Sequence, residues 1–252
     1  MIKFFRHIRQ GLLSENRFSK YLIYALGEII LVVIGILLAL KINNYNTELN
    51  NQKLVKNQLE NVALEVGRNI KLLDKTIEKS ESIITASRQI ANTIVSQNSI
   101  SEEQLSEWFG AAFAPVLNYQ PNTSLLNEMI NTGSLRDLKN DQLKGMLLEI
   151  QSQISELKNQ EKLHAEDQQT CADYLLEHGD FKLMMDQTKA SSEFLKVAPS
   201  KEYQGNLKLL ESKEFENKLI LFMASGIGLK EGNYIPFKAS LETIYQTINQ
   251  EE

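Results

Sequence analysis

The sequence predicts an all-α protein: a single N-terminal transmembrane helix followed by a long-helix, coiled-coil-like bundle. Three observations carry that expectation. Residues 21–40, YLIYALGEIILVVIGILLAL, hold one charged side chain, Glu28. At ~1.5 Å per residue this run spans about 30 Å, the thickness of a bilayer's hydrocarbon core. Downstream, apolar residues recur at steps of three and four over two long stretches, as on one face of a helix. No stretch alternates with period two, and four prolines and twelve glycines in 252 residues leave few helix breaks.

Taken in order, residues 1–20 form a basic tail. Phe4, Phe5, Ile8, Leu12 and Leu13 share one helical face, and Lys3, Arg6, Arg9 and Gln10 take the other. Two readings stand: an interfacial helix on an anionic leaflet, with Lys3, Phe4, Phe5, Arg6 and Arg9 at the membrane surface, or a frayed tail that sets topology. Residues 21–40 are the transmembrane helix, read as an uncleaved signal anchor because no small-x-small site follows the apolar run. Residues 41–252 form the second, soluble domain.

That domain opens on a solvated, Asn-rich stalk over Asn43 to Lys53. Apolar positions at Val55, Leu59, Val62, Val66, Ile70, Leu73 and Ile77 then predict one amphipathic helix running to about Val95. Ser101-Glu-Glu-Gln104 has the form of a capping box and opens a helix through Trp108, Phe109 and Phe113, aromatics suited to a core. Pro115 and Pro121 bracket a loop. Asn122 or Thr123 is placed to cap a helix that ends at Gly133, a residue suited to left-handed backbone.

From Asn140 the spacing Leu143, Leu147, Ile150, Ile154, Leu157, Glu161, His164, Gln168, Cys171, Leu175 predicts a second long helix, stopped at His178-Gly179. Two further helices are expected over Lys213–Ser225 and Phe237–Asn249.

Charge divides the chain unevenly. Setting aside the six bases and two acids of residues 1–41 from totals of 27 and 32 leaves 21 bases against 30 acids, a balance of −9. A domain that acidic repels phosphates, which argues against nucleic acid as a partner. Five Lys or Arg precede the anchor, against Lys41, Lys53 and Lys56 in the twenty residues after it. The positive-inside rule therefore expects a cytoplasmic N-terminus. One cysteine, Cys171, forbids an internal disulfide, and one Cys with three dispersed His fits no zinc pattern.

The opening of the chain resembles a known family. Phe4, Phe5, Arg6, Ile8 and Arg9, then Gly27, Glu28, Ile29, Leu31, Val32, Val33, Gly35, Ile36, Leu38, Ala39 and Leu40, then Asn43, Asn44 and Asn46 resemble the shared pattern of a family of uncharacterised single-pass membrane proteins widespread in Bacteroidetes-type bacteria, a domain of unknown function. A weaker likeness covers Pro121 to Leu138, and Tyr45 stands where many members carry Trp. The resemblance implies a bacterial inner-membrane protein with a periplasmic helical domain, and it implies no activity.

Among the polar groups Glu28 is the sharpest. A charge at that depth costs about 2.5–3.5 kcal/mol on insertion scales. It is read as hydrogen-bonded across a helix–helix interface, as a proton carrier, or as a snorkelling passenger. Gly35-x-x-x-Ala39, with Gly27 on the same helix, allows close approach of a second helix. His164, Cys171 and His178 stand about 10.5 Å apart along a helix, too far for one ion. Glu161, His164 and Gln168 replace apolar residues on three successive seam positions. Either a polar layer fixes pairing register or the helix leaves the core there, and the rim position is the expectation. His178-Gly-Asp180 and Gly226-x-Gly228-x-x-x-Gly232 supply no catalytic or dinucleotide pattern.

The expectation is therefore a non-enzymatic, membrane-anchored protein with no cofactor, acting by protein–protein interaction through self-association or a membrane partner. An accessory subunit of a proton-driven machine using Glu28 is the alternative.

Overall fold

The computed structural model describes residues 18–96 and 99–250. The fold is all-α, with no strand among the described residues. Helix α1 spans Phe18–Ser96, α2 Glu102–Phe113, α3 Ser124–Asn131, α4 Asp141–His178, α5 Phe181–Gln187, α6 Ala190–Glu193, α7 Lys213–Leu229 and α8 Ile235–Gln250. Short 3-10 turns occupy Ser134–Asp137 and Leu207–Glu211, and a π turn covers Lys230–Tyr234. The described residues fall into two compact units that meet at Lys56 and Asn57.

In the first unit α1 is the only element described. Its apolar side chains from Leu26 to Leu40 are exposed. This end of the helix is long and apolar enough to cross a membrane, with a mean hydropathy of 2.5 in its most apolar window.

The second unit has its own core. Val62, Leu73 and Ile90 of α1 are buried in it, with Leu105 and Phe109 of α2, Leu147 of α4, Phe215 and Phe222 of α7, and Leu241 of α8. Helix α4 packs along α7 and α8, and α2 packs on α5. Phe109, Phe113, Phe215 and Phe222 form a run of tilted and edge-on ring contacts at 5.5–6.4 Å between centroids, the geometry that aromatic quadrupoles favour.

Helix starts follow their caps. Ser101 accepts from the Gln104 N–H at 3.1 Å and opens α2, while the Gln104 side chain bonds Glu107 instead of closing a reciprocal box. Asn140 accepts from the Leu143 N–H at 2.9 Å and opens α4. Gly133 takes left-handed backbone at φ +79° after α3, the conformation glycine adopts without cost. Gly179 closes α4 for a different reason. Its φ is −110°, but a Cβ there would lie 2.8 Å from Asn206 Oδ1 and 2.7 Å from a Leu175 methyl.

Two helices run further than the sequence predicts. Helix α7 reaches Leu229 and passes through the π turn directly into α8. Pro236 accounts for the wide turn: it has no N–H for a carbonyl one turn back, and its ring crowds that carbonyl. The Ile235 N–H instead reaches five residues back to Lys230.

Candidate functional site

Two places concentrate polar chemistry, one in each unit. In the first, successive residues of α1 turn by about 100°. Gly35 and Ala39 therefore project within about 20° of Glu28, while Gly27 stands a quarter-turn away. A Cβ added at Gly35 would meet nothing within 4 Å, and Glu28 is half-buried while the apolar residues beside it are exposed. The helix thus groups three of the four intramembrane candidates and leaves Gly27 off their face. Lys3, Phe4, Phe5, Arg6 and Arg9 lie outside the described residues.

The second place is built on α4, and it corrects an expectation. Glu161, His164 and Gln168 are not at a rim: their relative exposures are 6%, 3% and 5%. The reason is the segment between α2 and α3. Residues 115–122 are not helical, and burial alternates along them as on an extended chain: Leu117 and Tyr119 are buried while Val116, Asn118 and Gln120 are exposed. A lone extended segment in a helical core has no sheet neighbour for its backbone groups, and buried backbone polar groups must be paired. Side chains from two helices do that pairing.

From α4, Glu161 Oε1 accepts the Tyr119 N–H at 2.7 Å. Gln168 Nε2 donates to the carbonyls of Ala112 and Pro115, both at 2.9 Å. From α1, Asn69 donates to the Asn122 carbonyl at 2.6 Å and accepts the Asn122 N–H at 3.0 Å. Lys79 reaches the Val116 carbonyl at 2.8 Å. Glu65 then caps the helix that follows, accepting the N–H groups of Leu125 and Leu126 at 3.0 and 3.2 Å. Thr123, at the cap position of α3, makes no side-chain cap bond, and the Asn122 side-chain oxygen accepts from the Ser124 N–H and hydroxyl. A carboxylate at a helix N-terminus is also favoured by the helix dipole.

Glu161 has a further partner. Tyr234, carried inward by the π turn, donates its hydroxyl to the same oxygen at 2.6 Å. Burial raises the Glu161 carboxyl above its ordinary value, against the opposing pull of Tyr234, the Tyr119 N–H and Lys158. Burial likewise raises both tyrosine hydroxyls, with the Glu161 charge adding to it.

One turn along, His164 stacks on Phe222 at 4.8 Å and 12°, and its Nδ1 lies 3.0 Å from Ser225 Oγ. Ser225 Oγ also lies 3.0 Å from the Phe222 carbonyl, and His164 Nε2 is buried without a partner among the described residues. Burial lowers the His164 pKa, with Asp167 opposing. Burial also pushes the Cys171 thiol up to about 12, which leaves it an unreactive protonated thiol. His178 sits in the exposed last turn of α4, tilted on Tyr174 at 4.4 Å.

Chemically this layer pairs Glu161 and Gln168 with backbone and tyrosine groups of the core and leaves His164 Nε2 unpaired among the described residues. Among the described residues no group of three His, Cys, Asp or Glu could hold a metal ion. Tyr119, Tyr234, Glu65 and Asn69 carry the layer with the three seam residues. Their sequence signal was a pair of polar residues four apart, Glu65 and Asn69, on the inward face of α1. The chain matches no family model, no curated protein and no solved structure.

Proposed function

We propose that this chain is a membrane-anchored helical protein that acts by protein–protein interaction, as an oligomer or as a subunit of a membrane complex. The observation that carries the reading is the alignment of Glu28, Gly35 and Ala39 on one face of an exposed apolar helix. A small-residue face lets a second helix approach, and intramembrane acids mostly face the interior of a helix assembly. The basic residues before the anchor, together with the resemblance of residues 4–46, support a bacterial inner-membrane protein with a cytoplasmic N-terminus and a periplasmic domain. No nucleic acid or cofactor has a part in this reading.

The test is a pair of substitutions followed by crosslinking in native membranes. Glu28→Gln keeps a donor and an acceptor and is expected to preserve assembly. Glu28→Leu is expected to weaken it by about 1–2 kcal/mol, roughly 5–30-fold. Equal crosslinking in both variants contradicts the reading. In the alternative, a proton-carrying accessory subunit, Gln abolishes work across the membrane as fully as Leu while the complex stays intact, since an amide does not titrate near neutral pH.

A further inference from the structure

Residues 194–204 form an exposed loop after α6, every one of them open to solvent, between two buried polar residues, Ser191 and Asn206. The loop is pinned by polar groups from the bundle. Asp180 accepts the Gln204 N–H at 2.9 Å, and Asp186 accepts the Ser200 N–H and the Tyr203 hydroxyl, each at 2.9 Å. Lys182, paired with Asp186, donates to the Ala198 carbonyl at 3.0 Å. At its end Glu102 accepts the N–H groups of Asn206 and Leu207.

With the polar groups turned inward, the apolar ones face out. Phe194 is 82% exposed, Leu195 51% and Val197 49%. Lys189 and Lys196, at φ +61° and +58°, are the two non-glycine residues in left-handed backbone among those described. Such strain persists only where the surroundings impose it, and it concentrates at functional segments. The backbone is meanwhile fixed: the N–H groups of Phe194 and Leu195 both reach the Ala190 carbonyl, and that of Val197 reaches Ser191. The apolar tip is therefore a fixed feature of the fold.

We propose that this loop docks on an anionic lipid surface, with Phe194, Leu195 and Val197 entering the interface and Lys189, Lys196 and Lys201 at headgroup level. Charge favours this occupant. Residues 189–204 carry those three lysines against Glu193 and Glu202, a balance of +1, whereas the chain beyond residue 41 has a balance of −9. Lysine stems extend along apolar surface with the ammonium at the phosphates, and each adds attraction to an anionic leaflet. Area favours it as well. Three side chains of this size cover roughly half of the ~800 Å² per partner that a specific protein interface needs, while interfacial insertion has no such threshold. Nor do the open grooves of the second unit, 260–700 Å³ in volume, include any residue of this loop among their lining side chains.

The test uses the full chain, its anchor occupied by a nanodisc of neutral phosphatidylcholine. The discs are mixed with vesicles in which about a third of the lipid is phosphatidylglycerol, and co-flotation is scored against empty discs. Loaded discs are expected to float with these vesicles and to release in high salt. The double variant Phe194→Ser, Leu195→Ser is expected to lose at least ~10-fold, and each of Lys189→Gln, Lys196→Gln and Lys201→Gln about fivefold. A single-tryptophan version, Trp108→Phe with Phe194→Trp, is expected to shift its emission to the blue when the anionic vesicles are added. Circular dichroism that matches the parent shows that each variant is folded. The proposal is overturned if loaded discs float no better than empty ones, or if the serine variant floats undiminished. It is overturned equally if loaded discs recover one another without vesicles, which makes a second copy the occupant.

Discussion

Glu161 is a carboxylate held in a helical core, and the cost of that placement sets its predicted behaviour. Both hydrogens it accepts, from Tyr119 and Tyr234, come to one oxygen. Glu161→Ala leaves two buried donors unpaired and is expected to destabilise by about 2–4 kcal/mol in urea unfolding. Glu161→Gln keeps the acceptor and removes the buried charge, and is expected to stay within ~1 kcal/mol of the parent. An alanine variant as stable as the parent would mean that the extended segment is held by other means. His164 predicts a pH dependence of definite sign. Its folded pKa is lowered below the ordinary 6.5, so its contribution is complete above about pH 6.5 and is lost as pH falls through the folded value. Glu161, raised above 4.5, works the other way, its contribution complete below about pH 4.5 and lost as pH rises. His164→Gln is expected to remove the loss of stability that sets in as pH falls below about 6.5, read by unfolding at each pH. An unchanged profile would place that titration elsewhere. At this scale the sequence marked the three seam residues but not their burial. The partners of Glu161 lie 42 and 73 residues away, and those of Gln168 lie 56 and 53 away, so no local periodicity reaches them.

The elements show which sequence signals are local and which are not. The end of α1 near Val95, the cap at Ser101 and the left-handed Gly133 were legible because each is settled within a turn or two of chain. The extended segment was read only as a loop between Pro115 and Pro121, because its donors and acceptors come from Asn69, Lys79, Glu161 and Gln168 on other helices. The helix expected over Lys213–Ser225 continues through Gly226 and Gly228. Their environments differ, and so do the expected effects of alanine. At Gly226 a Cβ would lie 3.0 Å from His164 Cε1, whereas at Gly228 it meets nothing within 4 Å. Gly226→Ala is therefore expected to destabilise by about 1–2 kcal/mol through overpacking. Gly228→Ala is expected to stabilise by about 0.5–1 kcal/mol, because alanine is the better helix former. Thermal unfolding of the two variants reads the contrast, and shifts of the same sign would contradict the packing of α7 on His164.

For the whole molecule, the two units differ in what stabilises them. Residues 57–252 bury their own core, so this fragment is expected to give a strongly helical circular dichroism spectrum and one cooperative transition that chelators do not move. A sheet-like spectrum, or unfolding on chelation, would contradict the fold. The long apolar helix over residues 21–40 was the most legible feature of the chain, since length and apolarity alone define it. Its orientation rests on the flanking basic residues and predicts an active periplasmic reporter fused after Glu252 and an inactive one at the N-terminus. The central claim, that the anchor meets a partner through one face, is tested most directly by a photo-crosslinking residue placed singly at Ala39 and at Leu37 in native membranes. Ala39 shares the Glu28–Gly35 face, and Leu37 lies about 180° from Glu28. The account predicts a protein adduct, with a second copy or another membrane protein, from position 39 and none from position 37. Adducts of equal yield from both positions, or from neither, would contradict it.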